Sequence, residues 1–175
     1  MQNLEKLLDT VPDAAKDLRL NMTSVLGGET LTRDQAWGVA LASACFVRHA
    51  ALVEALLADA RAAGVSEKMF EDARAAAAIM GMNTIYYRFR HLVGIETYGK
   101  RPARLRMQRM ATPQTSKVDF ELLAMACAVL AGCESCIKAH EASIRKEGLG
   151  EEHVHDAVRI AAVVQGTAIA LDLPK

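Results

Sequence analysis

Phe120-Glu-Leu-Leu-Ala-Met-Ala-Cys-Ala-Val-Leu-Ala-Gly132-Cys133-Glu-Ser-Cys136-Ile-Lys-Ala-His140 is the stretch on which the reading of this chain turns. Its first part is apolar, with helical rather than alternating spacing. Gly132 interrupts it, and a more polar helical stretch follows. Two helices meeting at a tight turn, folded back as an antiparallel hairpin, satisfy this pattern. Ser116-Lys-Val-Asp119, just upstream, has roughly the form of a capping box and marks where the first of them starts.

The same pattern extends in both directions. Apolar residues recur at three- and four-residue steps through most of the chain and predict helices over 2–9, 13–26, 33–62 (breaking near His49), 67–91, 118–131, 133–147 and 151–172. Thr32-Arg-Asp-Gln35 is a second capping box, while Gly27-Gly28, Gly64 and Gly148 look like helix stops. Residues 93–117 hold Pro102, Pro113 and two glycines and read as a long connection. No stretch reads as a strand.

The parts on either side of that connection resemble each other. Asp34-Gln-Ala-Trp-Gly-Val-Ala-Leu-Ala-Ser-Ala lies over Phe120–Leu130, Ala63-Gly-Val-Ser-Glu over Glu147-Gly-Leu-Gly-Glu, and Ala77–Gly81 over Ala162–Gly166, at offsets of 84–86 residues. The expected fold is therefore all-α, one domain over 1–175 with an internally duplicated helical unit. The first half, 1–92, has no cysteine pair; the second, 116–175, carries C-x-x-C.

Bulk properties narrow the function. A chain of 175 residues, 51% apolar and 24% charged, can bury its own core. Lys and Arg balance Asp and Glu at 21 each, which gives no argument for nucleic acid or an anionic membrane as a partner. The first ten residues do not have the form of a signal peptide, and no uninterrupted apolar run reaches the length of a membrane span. The expected compartment is the cytoplasm, where a close cysteine pair is catalytic or metal-binding rather than a static staple.

On a helix starting near Gly132, Cys133, Cys136 and His140 share one face, with Glu134 and Ser135 pointing elsewhere. Cys133 and Cys136 are within disulfide reach, and His140 is one turn beyond Cys136. In the hairpin register, Glu121 and His140 both fall roughly 12–16 Å from the turn, so they can meet. A carboxylate on one imidazole nitrogen makes the other a better base, and only the thiolate of a thiol with pKa near ~8.5 attacks. By this reading Cys136 is the less exposed and more base-assisted sulfur. Two chemistries stay open. One is thiol redox cycling. The other is a non-catalytic redox sensor or metal-binding module using Cys133, Cys136, His140 and Glu121, although structural zinc sites usually gather a second, distant ligand pair. His153 and His155 do not supply it, since i,i+2 residues on a helix point apart.

Glu121, Cys133-x-x-Cys136 and His140 together give E-x11-C-x-x-C-x-x-x-H, which resembles the alkyl hydroperoxidase D family within the carboxymuconolactone decarboxylase-like superfamily. Leu20–Ser24, Gln35–Ser43, Ala78–Asn83 and Ala139-His-Glu141 extend the similarity over nearly the whole chain. The resemblance implies a homotrimer and a lipoyl-dependent peroxidase that re-reduces a partner peroxiredoxin, alkyl hydroperoxide reductase C. Dihydrolipoamide on a 2-oxoacid dehydrogenase component would then be the electron donor, with no tightly bound cofactor. It further implies Cys136 as the attacking cysteine that becomes a sulfenic acid, Cys133 as proton donor and disulfide partner, and His140 with Glu121 as the proton relay. Where some members carry His just before the second cysteine, this chain has Ser135. A helix N-terminus, by contrast, favours the thiolate of Cys133.

Other features read as structural. Cys45 and Cys127 stand alone in apolar surroundings, Trp37 anchors the first half, and Met80, Met82, Met107, Met110 and Met125 pack the core. Arg88, Arg90, His91, Lys100, Arg101, Arg104, Arg106 and Arg109 form a basic stretch that is a solvated or subunit-contacting surface, or docks an acidic lipoyl domain or peroxiredoxin.

Overall fold

A computed structural model describes residues 1–174. It consists of α1 (Gln2–Leu8), α2 (Asp17–Leu26), α3 (Arg33–Val47), α4 (Ala50–Ala62), α5 (Glu67–Leu92), α6 (Glu96–Lys100), α7 (Gln108–Ala111), α8 (Lys117–Leu130), α9 (Glu134–Lys146) and α10 (Glu151–Asp172). No strand occurs among the described residues.

Local chemistry sets most of these boundaries. Thr32 and Gln35 exchange side-chain and backbone hydrogen bonds at the start of α3, and Ser116 and Asp119 do the same at the start of α8. The stretch 33–62 does break at its expected place: Arg48 takes a left-handed conformation (φ 62°) and His49 Nδ1 accepts the backbone N–H of Leu52 to cap α4. The stretch 13–26 opens instead with a 3-10 turn, Asp13–Ala15. The connection 93–117 is less irregular than its prolines suggest, since it holds α6 and α7.

The duplication is structural. The order α3, α4, α5 is repeated as α8, α9, α10, and the helix-opening residues Thr32, His49 and Ser66 recur as Ser116, Cys133 and Gly150. That offset is 84 residues throughout, so the overlay of Asp34 on Phe120 is two residues out of register. The residue that truly matches Phe120 is Ala36; alanine-rich helices slide past one another in sequence without changing their pattern, and only the caps pin them. The two capping boxes even touch, because Gln35 Nε2 donates to Asp119 Oδ1 at 2.8 Å.

The core runs through both units. α3 packs on α5, α8 and α10, and α8 packs on α5, α9 and α10. A side chain at Gly38 would collide with Met69 and crowd Leu123, so glycine lets α3 approach α5 and α8 closely. Trp37 and Met125 are buried, as their apolar settings predict. By length and mean hydropathy (1.3), α10 alone among the described helices could cross a membrane, although its apolar residues do not form one uninterrupted run. Here its apolar positions serve packing against α2, α3 and α8.

One buried carboxylate fastens the connection between the halves. Asp72, on α5, accepts hydrogen bonds from Gln114 N (3.2 Å), Thr115 N and Oγ1 (both 2.7 Å) and Arg109 Nε (2.9 Å). Burial opposes its charge, but these donors outweigh burial and hold its carboxyl below the usual range. The stability Asp72 contributes is thus complete above the unfolded value near ~3.9 and is lost as pH falls through the lower folded value. Asp72→Ala is expected to lower stability by about 3 kcal/mol at neutral pH, because it leaves buried donors and Arg109 without a partner. Urea unfolding at pH 7 and in acid checks this: the gap between variant and wild type should narrow as Asp72 protonates.

Candidate active site

The turn between α8 and α9 builds the site. Gly132 takes φ 62°, which reverses the chain, and the backbone N–H of Cys133 then bonds to Ala128 O at 3.1 Å. Cys133 is therefore the residue that precedes α9 rather than its first helical residue, and Cys136 lies in its first turn. Their Cα atoms are 5.3 Å apart and the two sulfurs form a disulfide. From α5, Arg88 Nη1 donates to Ala131 O at 2.5 Å and ties the turn down.

Glu121 projects from α8 and His140 from α9. Glu121 Oε2 lies 2.6 Å from His140 Nδ1, and both side chains are almost wholly buried. With Nδ1 donating to the carboxylate, Nε2 is the ring nitrogen that remains for proton transfer. His140 and Cys136 line the same cavity, one helical turn apart.

The sequence reading placed Cys136 as the less exposed sulfur, and the structure reverses this. Cys133 is fully buried beneath the turn, while Cys136 is 6% exposed. Cys136, in the first turn of α9, opens on a cavity of about 490 Å³, whose lining does not include Cys133. Ser135 also departs from the helical-wheel reading: it faces that cavity, and its Oγ is 3.7 Å from Cys133 Sγ. The reason is that Cys133 lies outside the helix, so the wheel drawn through it is rotated. Glu134 does point away and pairs with Lys138 and His91.

The far wall of the cavity comes from Met80, Asn83 and Tyr87 of α5 and from Met107, Met110 and Ala111 around α7. Met107 and Met110 thus wall the cavity, and Met110 also packs against the core. Sequence inspection missed this wall, although Met80, Asn83 and Tyr87 share one helical stripe and a lone Asn within it was the available signal. The basic stretch divides: Arg88 and Arg109 are structural, His91 and Lys100 pair with Glu134 and Glu96, and Arg101, Arg104 and Arg106 are exposed in the segment that precedes Met107.

Cys45 and Cys127 are free, and burial raises both thiols. Among the described residues no three His, Cys, Asp or Glu side chains are grouped to hold a metal ion, and the disulfide occupies both sulfurs of the pair.

Known proteins resemble this chain in sequence. The carboxymuconolactone decarboxylase family pattern matches residues 96–173. Alkyl hydroperoxide reductase AhpD of an Anaeromyxobacter species is 52% identical over 98% of this chain and 92% of its own length. The chain belongs to the AhpD family. Proteins of the same name from Solibacter usitatus (46% identical, 97% of this chain and 96% of the relative) and Brucella canis (44%, 97% and 97%) bracket it further. The likeness to AhpD proteins therefore covers both units and the connection that walls the cavity.

Glu121→Gln is expected to slow alkylation of reduced Cys136 by iodoacetamide at neutral pH, and His140→Phe to slow it roughly 10²–10⁴-fold, the range of a lost general base. Alkaline pH should restore part of the rate in both. The pH profile of alkylation, followed by mass spectrometry, checks this; profiles identical to wild type would remove Glu121 and His140 from the relay.

Proposed function

We propose that this AhpD-family chain is an antioxidant thiol peroxidase that reduces alkyl and other organic hydroperoxides through a Cys133/Cys136 disulfide cycle. The observation that carries the reading is the joint placement of Cys136 and a carboxylate-oriented histidine at one apolar cavity, with a second sulfur in disulfide reach behind. The AhpD names of its relatives support the same activity.

His140 Nε2 takes the proton of the Cys136 thiol, and the thiolate attacks the hydroxyl-bearing oxygen of the peroxide. The O–O bond breaks, an S–O bond forms, and the alkoxide leaves as the alcohol with the proton from His140. Cys136 is now a sulfenic acid, two electrons oxidised. Cys133 attacks that sulfur, water leaves, and the disulfide closes. Burial suits Cys133 to this role: it is shielded from peroxide but in contact with its partner sulfur.

A dithiol must reopen the disulfide. Dihydrolipoamide on a lipoyl-bearing 2-oxoacid dehydrogenase component is the proposed donor, with no tightly bound cofactor, since a narrow apolar arm can enter the cavity. Exposed Arg101, Arg104 and Arg106 would dock an acidic carrier. The reduced pair would in turn regenerate a partner peroxiredoxin, alkyl hydroperoxide reductase C, in the cytoplasm. A homotrimer is the proposed assembly, supported by the exposed Ile85, Phe89 and Leu92 along one face of α5 and by Ile95 and Tyr98 beside it.

Turnover with cumene hydroperoxide and dihydrolipoamide should disappear in Cys133→Ser and Cys136→Ser, while Cys45→Ser and Cys127→Ala retain it. Wild-type turnover in Cys133→Ser would sink the two-thiol cycle. Analytical ultracentrifugation should give a mass near three times 18.9 kDa, reduced by Phe89→Glu.

A further inference from the structure

Asn83 is a polar residue without a structural task. It lies mid-helix in α5, is 4% exposed, and faces the Cys136 cavity. Its Oδ1 is buried with no hydrogen-bond partner, and its Nδ2 has only the sulfur of Met110, a weak acceptor, at 3.5 Å. A buried amide left in this state costs stability, and a leucine of similar size would avoid that cost. Its near neighbour Thr84 is satisfied by Met80 O within the helix. The unmet hydrogen-bonding capacity at Asn83 is directed at the one space where a substrate would meet Cys136.

We propose that Asn83 is a positioning residue that holds the hydroperoxide group of the substrate against Cys136. The inference rests on the peroxide-reducing reading above and adds a residue to it. In the bound complex, Asn83 Oδ1 accepts the peroxide O–H and Nδ2 donates to the oxygen that becomes the alkoxide. The hydroxyl-bearing oxygen is thereby turned toward the Cys136 thiolate. The O–O bond breaks as the S–O bond forms, and His140 supplies the proton with which the alkoxide leaves as an alcohol. Met80, Met107, Met110 and Tyr87 accommodate the organic tail, which has no hydrogen bonds to make. The cavity thus has one apolar wall for the tail and one amide for the reacting group.

The test compares reduced wild type, Asn83→Leu and Asn83→Ala in rapid-mixing experiments that follow oxidation of Cys136. With cumene hydroperoxide and with hydrogen peroxide, both variants should react about tenfold more slowly or worse, since each loses two hydrogen bonds and tenfold is the worth of one. With dithiobis(nitrobenzoate), a disulfide that has no O–H to hold, they should match wild type within twofold. The pH profile should keep its shape, and the melting temperature of Asn83→Leu should equal or exceed that of wild type. Wild-type rates with peroxide in both variants overturn the role of Asn83 and leave the peroxidase reading intact. Slowing with cumene hydroperoxide but not hydrogen peroxide also overturns it, since that marks a change in cavity shape. Slowing with the disulfide to the same degree overturns it too, because the defect would then lie in the thiolate. Wild-type Cys136 reacting with peroxide no faster than a free thiol fails the peroxidase reading itself.

Discussion

The hydrogen bond between Glu121 and His140 links the two helices on which the site depends. It joins α8 to α9 across a hairpin whose turn, at Gly132, presents Cys133 and Cys136. An almost wholly buried carboxylate is costly to maintain, and replacing such a pair with apolar residues of similar volume is often neutral or stabilising. The first unit of this chain makes that replacement. At the same 84-residue offset, Trp37 stands for Glu121, Leu52 for Cys136 and Leu56 for His140, and all three are buried core residues. The fold therefore accepts either set, and the polar set stands where Cys136 and His140 line a cavity.

His49, the counterpart of Cys133, shows the same division of labour. It caps α4 with its ring nitrogen, a purely local service to the first N–H groups of a helix. Cys133 occupies the equivalent position without a side-chain cap, and its sulfur is bonded to Cys136 instead. The position used for capping in one unit thus holds, in the other, a sulfur at the N-terminal end of α9.

The cavity belongs to neither unit alone. α9 supplies Ser135, Cys136, Ala139 and His140, α5 of the first unit supplies Met80, Asn83 and Tyr87, and the connection around α7 closes the space with Met107, Met110 and Ala111. That connection is held by Asp72, which reaches from α5 to Arg109, Gln114 and Thr115. Loops that wall reaction sites need both freedom in sequence and firm anchoring, and one buried carboxylate meeting four donors provides the anchoring.

Sequence alone determined the helical class, the two capping boxes, the break at His49, the doubled unit and the four residues placed on the α8–α9 hairpin. These are local or periodic properties: a cap is written within four residues, and a hairpin equates distances on either side of its glycine. The tertiary structure decided what depends on neighbours distant in sequence. It set the 84-residue register, because alanine-rich stretches align at several offsets while caps do not. It buried Cys133 and opened Cys136, because exposure depends on which surfaces pack over the turn. It also brought Asn83 and three methionines to the cavity that Cys136 lines, since a residue distant in sequence carries no local sign of what it will face.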